Sequence, residues 1–495
     1  MPGPGNVGER VRNLRLTRRL SQAQLAGHDL SDSYISLIES GKRTPTPTVL
    51  RMLAERLGCT PEYLAEGVEP EQRAHLEVRE RHAHLALMGG DPATAEAGFD
   101  EVIARSDDQE LTARARWGRA RALEELGRTD HAIALFEELR EHAERDPGRA
   151  SWLPPVIALA RCYHAVGDLG QALALGERAM ERLRRLGLGV GQEHTEAGRI
   201  LLLAYVDRSD PVRAHEIGRR LLYPEVSGDV PSTSACYQRA SIRALEEGTI
   251  GDSLYFADQA LAARTDSTPV QTHARLHLAA AKALLRGVMP FSKPAPSPLP
   301  GVDGAAVPQS GEYTGTDGIE RPRPEVVPEA AREALDLLQG TSVLEGAEAT
   351  ESAIARARAL VLVGELDEAI SHLEGLLDTG LALAPPDEAP EAVAEPDDDL
   401  NARTQKTVLA RAVLARARIA QGDVSAAQVV LRAASDQLST LPSGRAAAIL
   451  FRELGEVYEL VQDMDSAASA YRRALEAAGL HAARAQEANC DLGRV

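Results

Sequence analysis

The feature that most constrains this chain is a break that recurs about every forty residues. Aligning on Gly90, Gly127, Gly167, Ser209, Gly248 and Gly287 gives intervals of 37, 40, 42, 39 and 39 residues, and the series resumes at Gly364, Gly422 and Gln462. A fixed period of this size predicts stacked helical hairpins, each covering its apolar face with the next, in place of one globular core.

Small residues keep register with the break. Ala95, Ala132, Ala172, Ala369, Ala427 and Ala467 follow it by five residues, and Ala83, Ala120, Ala160, Ala357, Ala415 and Gly455 precede it by seven. Phe99, Phe136 and Tyr471 stand nine residues after it. Small side chains at these offsets mark where the two helices of a hairpin approach too closely for anything larger. Aromatics are only 3% of a chain that is 44% hydrophobic, so Ala and Leu must fill the interior, which suits close-packed helices better than sheets. The expected fold class is all-α.

The N-terminal residues have a different texture. Residues 7–19 carry Val7, Val11 and Leu14 at helical spacing, and Ser21 stands as a cap before a short helix over residues 22–26. Leu30 plugs a turn, and Ser31 begins a helix whose Ile35 and Ile38 point inward. Gly41 ends that helix, and Lys42 and Arg43 follow in a loop. Pro47 opens a fourth helix, and Thr60-Pro61-Glu62 supplies cap, proline and acidic first turn for a fifth.

Ser21-Gln22 with Leu25-Ala26, Ser33-Tyr34-Ile35-Ser36, Ile38-Glu39, Gly41-Lys42-Arg43 and Pro45 resemble the Cro/phage-repressor, or xenobiotic-response-element, type of helix-turn-helix domain. The repeats in turn resemble tetratricopeptide repeats. The combination is similar in architecture to the bacterial peptide-responsive quorum-sensing regulators. Those proteins often hold a peptide with Asn side chains, whereas the repeat region here has only Asn401 and Asn489. The turn departs from the helix-turn-helix pattern as well, since residues 27–30 are short and place the Gly early.

With Ile35 and Ile38 inward, Asp32, Ser33 and Ser36 share the outward side; the first resemblance implies base reading by positions 31 to 36, Ser31 among them, with Gln22 binding phosphate and propping the reading helix. Tyr34, Lys42, Arg43 and Thr44 are expected to grip phosphate. Ser31 also serves as a helix cap, and packing on the neighbouring helix is the competing reading of Tyr34. A carboxylate only accepts hydrogen bonds, so Asp32 in a major groove suits a cytosine amine; its alternative role is a favourable charge at a helix N-terminus.

In the repeats, six residues before the break stand Arg121, Arg161, Arg358 and Arg416, with Trp117 one turn before Arg121. In a tetratricopeptide stack that offset faces the concave surface, where a row of guanidiniums suits a peptide, a small anionic ligand or an acidic protein partner. Pairing with Asp and Glu of adjacent helices is the competing reading, because Lys occurs only four times and Arg is the main base.

The expected organisation is a DNA-binding domain over residues 1–68, repeats over 69–290 and 329–480, a disordered Pro/Gly-rich insertion over 291–328 and a tail over 481–495. An acidic loop over 381–400 interrupts the second set; it is read as an insertion, or as a decoy for the basic face. Net charge is −19, but residues 1–67 hold nine Lys and Arg against seven Asp and Glu, so the acidity belongs to the repeats. Four dispersed cysteines imply neither disulfides nor a zinc site. Without a signal-like or membrane-spanning apolar run, a soluble cytoplasmic protein is expected. No catalytic motif and no cofactor signature occurs, so no enzyme, cofactor or metal is expected. The function expected is a transcriptional regulator acting on a double-stranded DNA operator, as a homodimer on two half-sites. The alternative is a protein-interaction scaffold with the helix-turn-helix as a weak DNA anchor.

Overall fold

Every break read from the sequence is a residue in the left-handed region. The nine φ values run from +60° at Gln462 and +62° at Ser209 to +97° at Gly364. Seven of the nine are Gly, which adopts this conformation without a Cβ penalty. After five of the breaks an Asp caps the next helix, each carboxylate accepting from a backbone N–H: Asp91 from Thr94, Asp168 from Gln171, Asp210 from Arg213, Asp423 from Ala426 and Asp463 from Ser466. The break is therefore two local devices in succession, a left-handed stop and a side-chain start.

The computed structural model describes residues 7–66, 70–106, 108–223, 232–263, 268–293, 326–378 and 397–480. Among the described residues the regular structure is helical, and no helix is long and apolar enough to cross a membrane. The chain divides into two units, residues 1–142 and 143–495. The first holds α1 (Val7–Thr17), α2 (Gln22–Ala26), α3 (Asp32–Glu39), α4 (Pro47–Leu57) and α5 (Pro61–Glu66). These short helices close on a core of Val11, Leu25, Ile35, Ile38, Leu53, Leu57 and Leu64. There follow α6 (Pro70–Met88), α7 (Pro92–Arg105), α8 (Gln109–Glu125) and α9 (Thr129–Arg145).

The second unit opens with α10 (Leu153–Val166), α11 (Leu169–Arg185), α12 (Gln192–Asp207) and α13 (Pro211–Leu222). It continues with α14 (Thr233–Glu246), α15 (Ile250–Ala262), α16 (Thr268–Leu285), α17 (Val326–Gln339), α18 (Gly346–Val363) and α19 (Leu366–Asp378). It ends with α20 (Asp397–Gln421), α21 (Val424–Leu438), α22 (Arg445–Leu460) and α23 (Met464–Ala477).

The small residues of the repeat are buried where helices meet. Ala95, Ala120, Ala132, Ala160, Ala172, Ala357, Ala369, Ala415 and Ala427 are wholly inaccessible. Aromatic rings fill glycine notches between helices. A Cβ at Gly118 would lie 2.3 Å from the Phe99 ring, one at Gly455 would lie 2.6 Å from Tyr471, and one at Gly218 would lie 2.3 Å from Phe291.

Three boundaries differ from the sequence reading. Phe291, assigned to the disordered insertion, is wholly buried and stacks on His215 at 5.8 Å between ring centroids. Its apolar ring has a glycine notch to enter, which composition alone does not reveal. Helix α17 begins at Val326, inside the span assigned to the insertion, and α20 begins at Asp397, inside the span assigned to the acidic loop. The rest of both spans (residues 294–325 and 381–396) and the tail over 481–495 lie outside the described residues.

The second unit also bonds across its own length. Arg445, the first residue of α22, donates to the His164 carbonyl at 2.6 Å and to the Asp207 carboxylate at 2.9 Å. Asp207 accepts from His164 at 2.9 Å and is paired with Arg286. A Cβ at the Gly167 break would meet Arg445 at 2.7 Å, so that glycine both turns the chain and admits the guanidinium.

Candidate nucleic-acid interface

Helix α3 is aimed by hydrogen bonds made at both of its ends. At its start Ser31 accepts from the Tyr34 N–H at 3.2 Å. At its end the Glu39 carboxylate takes both nitrogens of an Arg15 fork, at 2.6 and 3.0 Å, and the Gln22 amide at 2.8 Å. Arg15 comes from α1 and Gln22 from α2, so one carboxylate ties three helices together. Burial opposes ionisation of Glu39, but the bonds from Arg15 and Gln22, with the charges of Arg15 and Arg12, outweigh it and hold its carboxyl below the ordinary value. Gln22 is thus bonded to the end of α3 through Glu39.

The short turn has a brace that the sequence did not announce. Arg56 of α4 donates to the carbonyls of Leu25, at 3.0 Å, and Ala26, and pairs with Asp29. It thereby adds a donor to the C-terminal carbonyls of α2, where Ala26 also accepts from the Leu30 N–H at 3.3 Å. Gly27 has φ +59°, and a Cβ there would lie 2.8 Å from the Arg56 guanidinium. The early position of the glycine follows from both facts.

With α3 held this way, Ser31, Asp32, Ser33 and Ser36 are exposed, while Ile35 and Ile38 are buried. Tyr34 is half-buried against the core, and the Arg43 guanidinium lies 5.0 Å over its ring. Lys42, Arg43 and Thr44 are exposed in the loop that follows. The structure therefore puts short hydroxyls and one carboxylate on a single helical face, with two bases in the adjoining loop. A helix presents side chains to base edges in this way, and loop bases reach phosphate.

The repeat arginines have carboxylate neighbours. Arg121 lies 3.6 Å from Glu124 and 3.7 Å from Glu125, and Trp117 packs edge-on against Phe136 at 5.4 Å. Arg161 lies 3.1 Å from Glu196, Arg358 2.7 Å from Glu453 and Arg416 3.2 Å from Glu456. Glu196 is opposed by burial, yet the charges and hydrogen bonds of Arg199 and Arg161 hold it well below the usual carboxylate range. Arg358 and Arg416 face a common cavity of about 1180 Å³ in the second unit, together with Lys282, Lys406 and Arg445. Among the described residues, seven bases and four acids line it, the reverse of the chain as a whole.

Residues 11–64 match the helix-turn-helix family. None of the curated proteins matches the chain. Among solved structures, a tetratricopeptide repeat protein from Parabacteroides merdae is similar at a TM-score of 0.37 and 10% identity, over 78% of this chain and 98% of that one. PlcR from Bacillus thuringiensis, solved with the peptide PapR7 and DNA, is similar at 0.22 and 17%, over 54% of this chain and 96% of that one. A human IFIT1 dimer with m7Gppp-AAAA is similar at 0.32 and 15%, over 95% and 94%. On the family match and the geometry above, residues 11–64 are a helix-turn-helix domain of the Cro/phage-repressor type, and the hairpins that follow in sequence form a helical repeat.

Proposed function

We propose that the chain is a sequence-specific DNA-binding transcriptional regulator, with α3 as its reading helix. The observation that carries this is the exposed face of α3, braced through Glu39 by Arg15 and Gln22 and followed by Lys42 and Arg43. Ser31, Asp32, Ser33 and Ser36 meet base edges, and Tyr34, Lys42, Arg43 and Thr44 meet phosphate. A helix of eight residues reads only a few base pairs, so the chain acts as a homodimer on two half-sites about one helical turn apart. The repeat units supply the dimer contact and a site for a partner. Arg358 and Arg416 in the basic cavity favour an anionic one, whether a peptide, a small ligand or a protein surface.

The test is selection of duplexes from random DNA by the full-length protein at moderate salt. The expected result is a two-fold-related motif whose enrichment is lost in a Lys42→Ala, Arg43→Ala double variant. Selection of no motif, with normal folding, overturns the proposal. Sedimentation of the protein with and without the selected duplex reads the dimer.

A further inference from the structure

A second, smaller cavity lies in the second unit, away from the basic cavity just described. Its volume is about 260 Å³, and it opens among the loop before α12, the ends of α13 and α15, and the starts of α14 and α16. Val190, Leu221, Ala262 and Ala263 form its apolar walls. Gln192, His194, Thr233, Gln259 and His273 place polar groups on it, and among the described residues Arg220 is the one lining residue with a permanent charge. Among the described residues no Asp or Glu lines it, in a chain with 74 acidic and 55 basic residues.

The rim is built, not casual. The Tyr237 hydroxyl accepts from the Gln192 N–H at 2.9 Å and donates to the Glu193 carboxylate at 2.6 Å. Tyr255 donates to the same carboxylate at 2.7 Å, so Glu193, only 5% exposed, has both oxygens engaged behind the wall. Gly191 has φ +111°, and a Cβ there would lie 2.6 Å from the Tyr237 hydroxyl, so the loop closes onto the ring only as glycine. Burial and the nearby Arg220 push the His194 imidazole below its ordinary value, which keeps it neutral near pH 7, with one nitrogen to donate and one to accept.

We propose that this cavity binds a small organic carboxylate with an apolar body about one ring in size. An apolar cavity of about 150 Å³ takes a benzene ring. At about 260 Å³ there is room for a ring, a short linker and a carboxylate. Arg220 faces the anion in a bidentate mode that suits carboxylate geometry. Its present partner is Glu216 at 2.8 Å, on an exposed pair that exchanges readily for a ligand. One guanidinium beside a neutral imidazole offsets one negative charge, which favours a carboxylate over a phosphate dianion.

The test is calorimetric titration of the full-length protein with benzoate and phenylacetate, each against its uncharged amide. The expected result is that at least one acid binds tenfold or more tighter than its amide. Arg220→Gln should bring acid and amide to equal affinity, and Ala263→Phe, which fills the cavity, should abolish both. Acid and amide binding equally, neither binding, or an acid preference that survives Arg220→Gln would overturn the proposal. Should Ala263→Phe fail to fold, Arg220→Gln decides alone, since its side chain is 61% exposed. The readout is independent of DNA, so failure here and failure of the regulator reading are separate results.

Discussion

Gln22 donates its side-chain amide to Glu39 at 2.8 Å, joining the start of α2 to the end of α3. The same carboxylate holds Arg15, and the two partners of this ion pair are only 11% and 6% exposed. Glu39→Ala leaves a half-buried guanidinium without its charge partner, which typically costs about 3–5 kcal/mol. Gln22→Ala removes a single bond to a charged group, for about 1.5–3 kcal/mol. Denaturant unfolding of the full chain, followed by hydrogen exchange of α1–α3, should show the larger loss in Glu39→Ala. Equal effects would mean that Arg15 finds another partner.

Arg56 supports the short turn without touching the reading face. Arg56→Ala should lower affinity for every operator variant by a similar factor, because it loosens the aim of α3 and not its chemistry. Arg56→Lys should rescue little, since a single ammonium cannot hold two carbonyls and a carboxylate in the geometry of a planar fork. Binding titrations across single-base variants of the selected operator check both statements.

Asp32 and the loop bases should separate under the same measurement. Asp32→Ala is expected to change preference at one base pair while leaving overall binding intact. Lys42→Ala and Arg43→Ala should each weaken binding uniformly and reduce the slope of log affinity against log salt by about one. A uniform loss for Asp32→Ala would make it a helix-terminal charge only.

Asp207 gives the second unit a pH signature. Burial opposes its ionisation, but the hydrogen bond from His164 and the charges of Arg286, His164 and Arg445 hold its carboxyl at about 2. A carboxyl depressed in the folded state contributes stability that is complete above the unfolded value of about 3.9. That contribution is lost as pH falls toward about 2. Thermal unfolding at pH 6 and pH 3 should therefore show a smaller acid-induced drop in Asp207→Asn than in the parent. At pH 6 the variant should be weaker by about 1–3 kcal/mol.

What the sequence revealed divides by range. The caps at Ser21, Ser31 and Thr60 act on N–H groups three residues ahead, and Pro47 presets a helical φ, so the starts of α2 to α5 were legible from a few letters. The left-handed breaks were legible for the same reason. The braces were not. Arg56 reaches back 30 and 31 residues to its carbonyls, and Arg358 reaches 95 to Glu453. Nothing in the local pattern names the distant partner that either arginine reaches. The offset grouped Arg121, Arg161, Arg358 and Arg416, but their carboxylate partners come from outside that register. The carboxylate-binding cavity proposed for α12–α16 left no motif, since its lining comes a few residues at a time from five segments.

Arg445 also bears on how the second unit comes apart. An open row of hairpins melts from its ends, because a terminal repeat has one neighbour and an interior repeat has two. Here a residue of α22 bonds to Asp207 across 238 positions and to His164 across 281, so the early and late hairpins share one set of contacts. Fraying at either edge then requires opening that contact first. Amides of α10 and α22 should exchange at rates close to those of α16, with a single protection class in place of a gradient along the row.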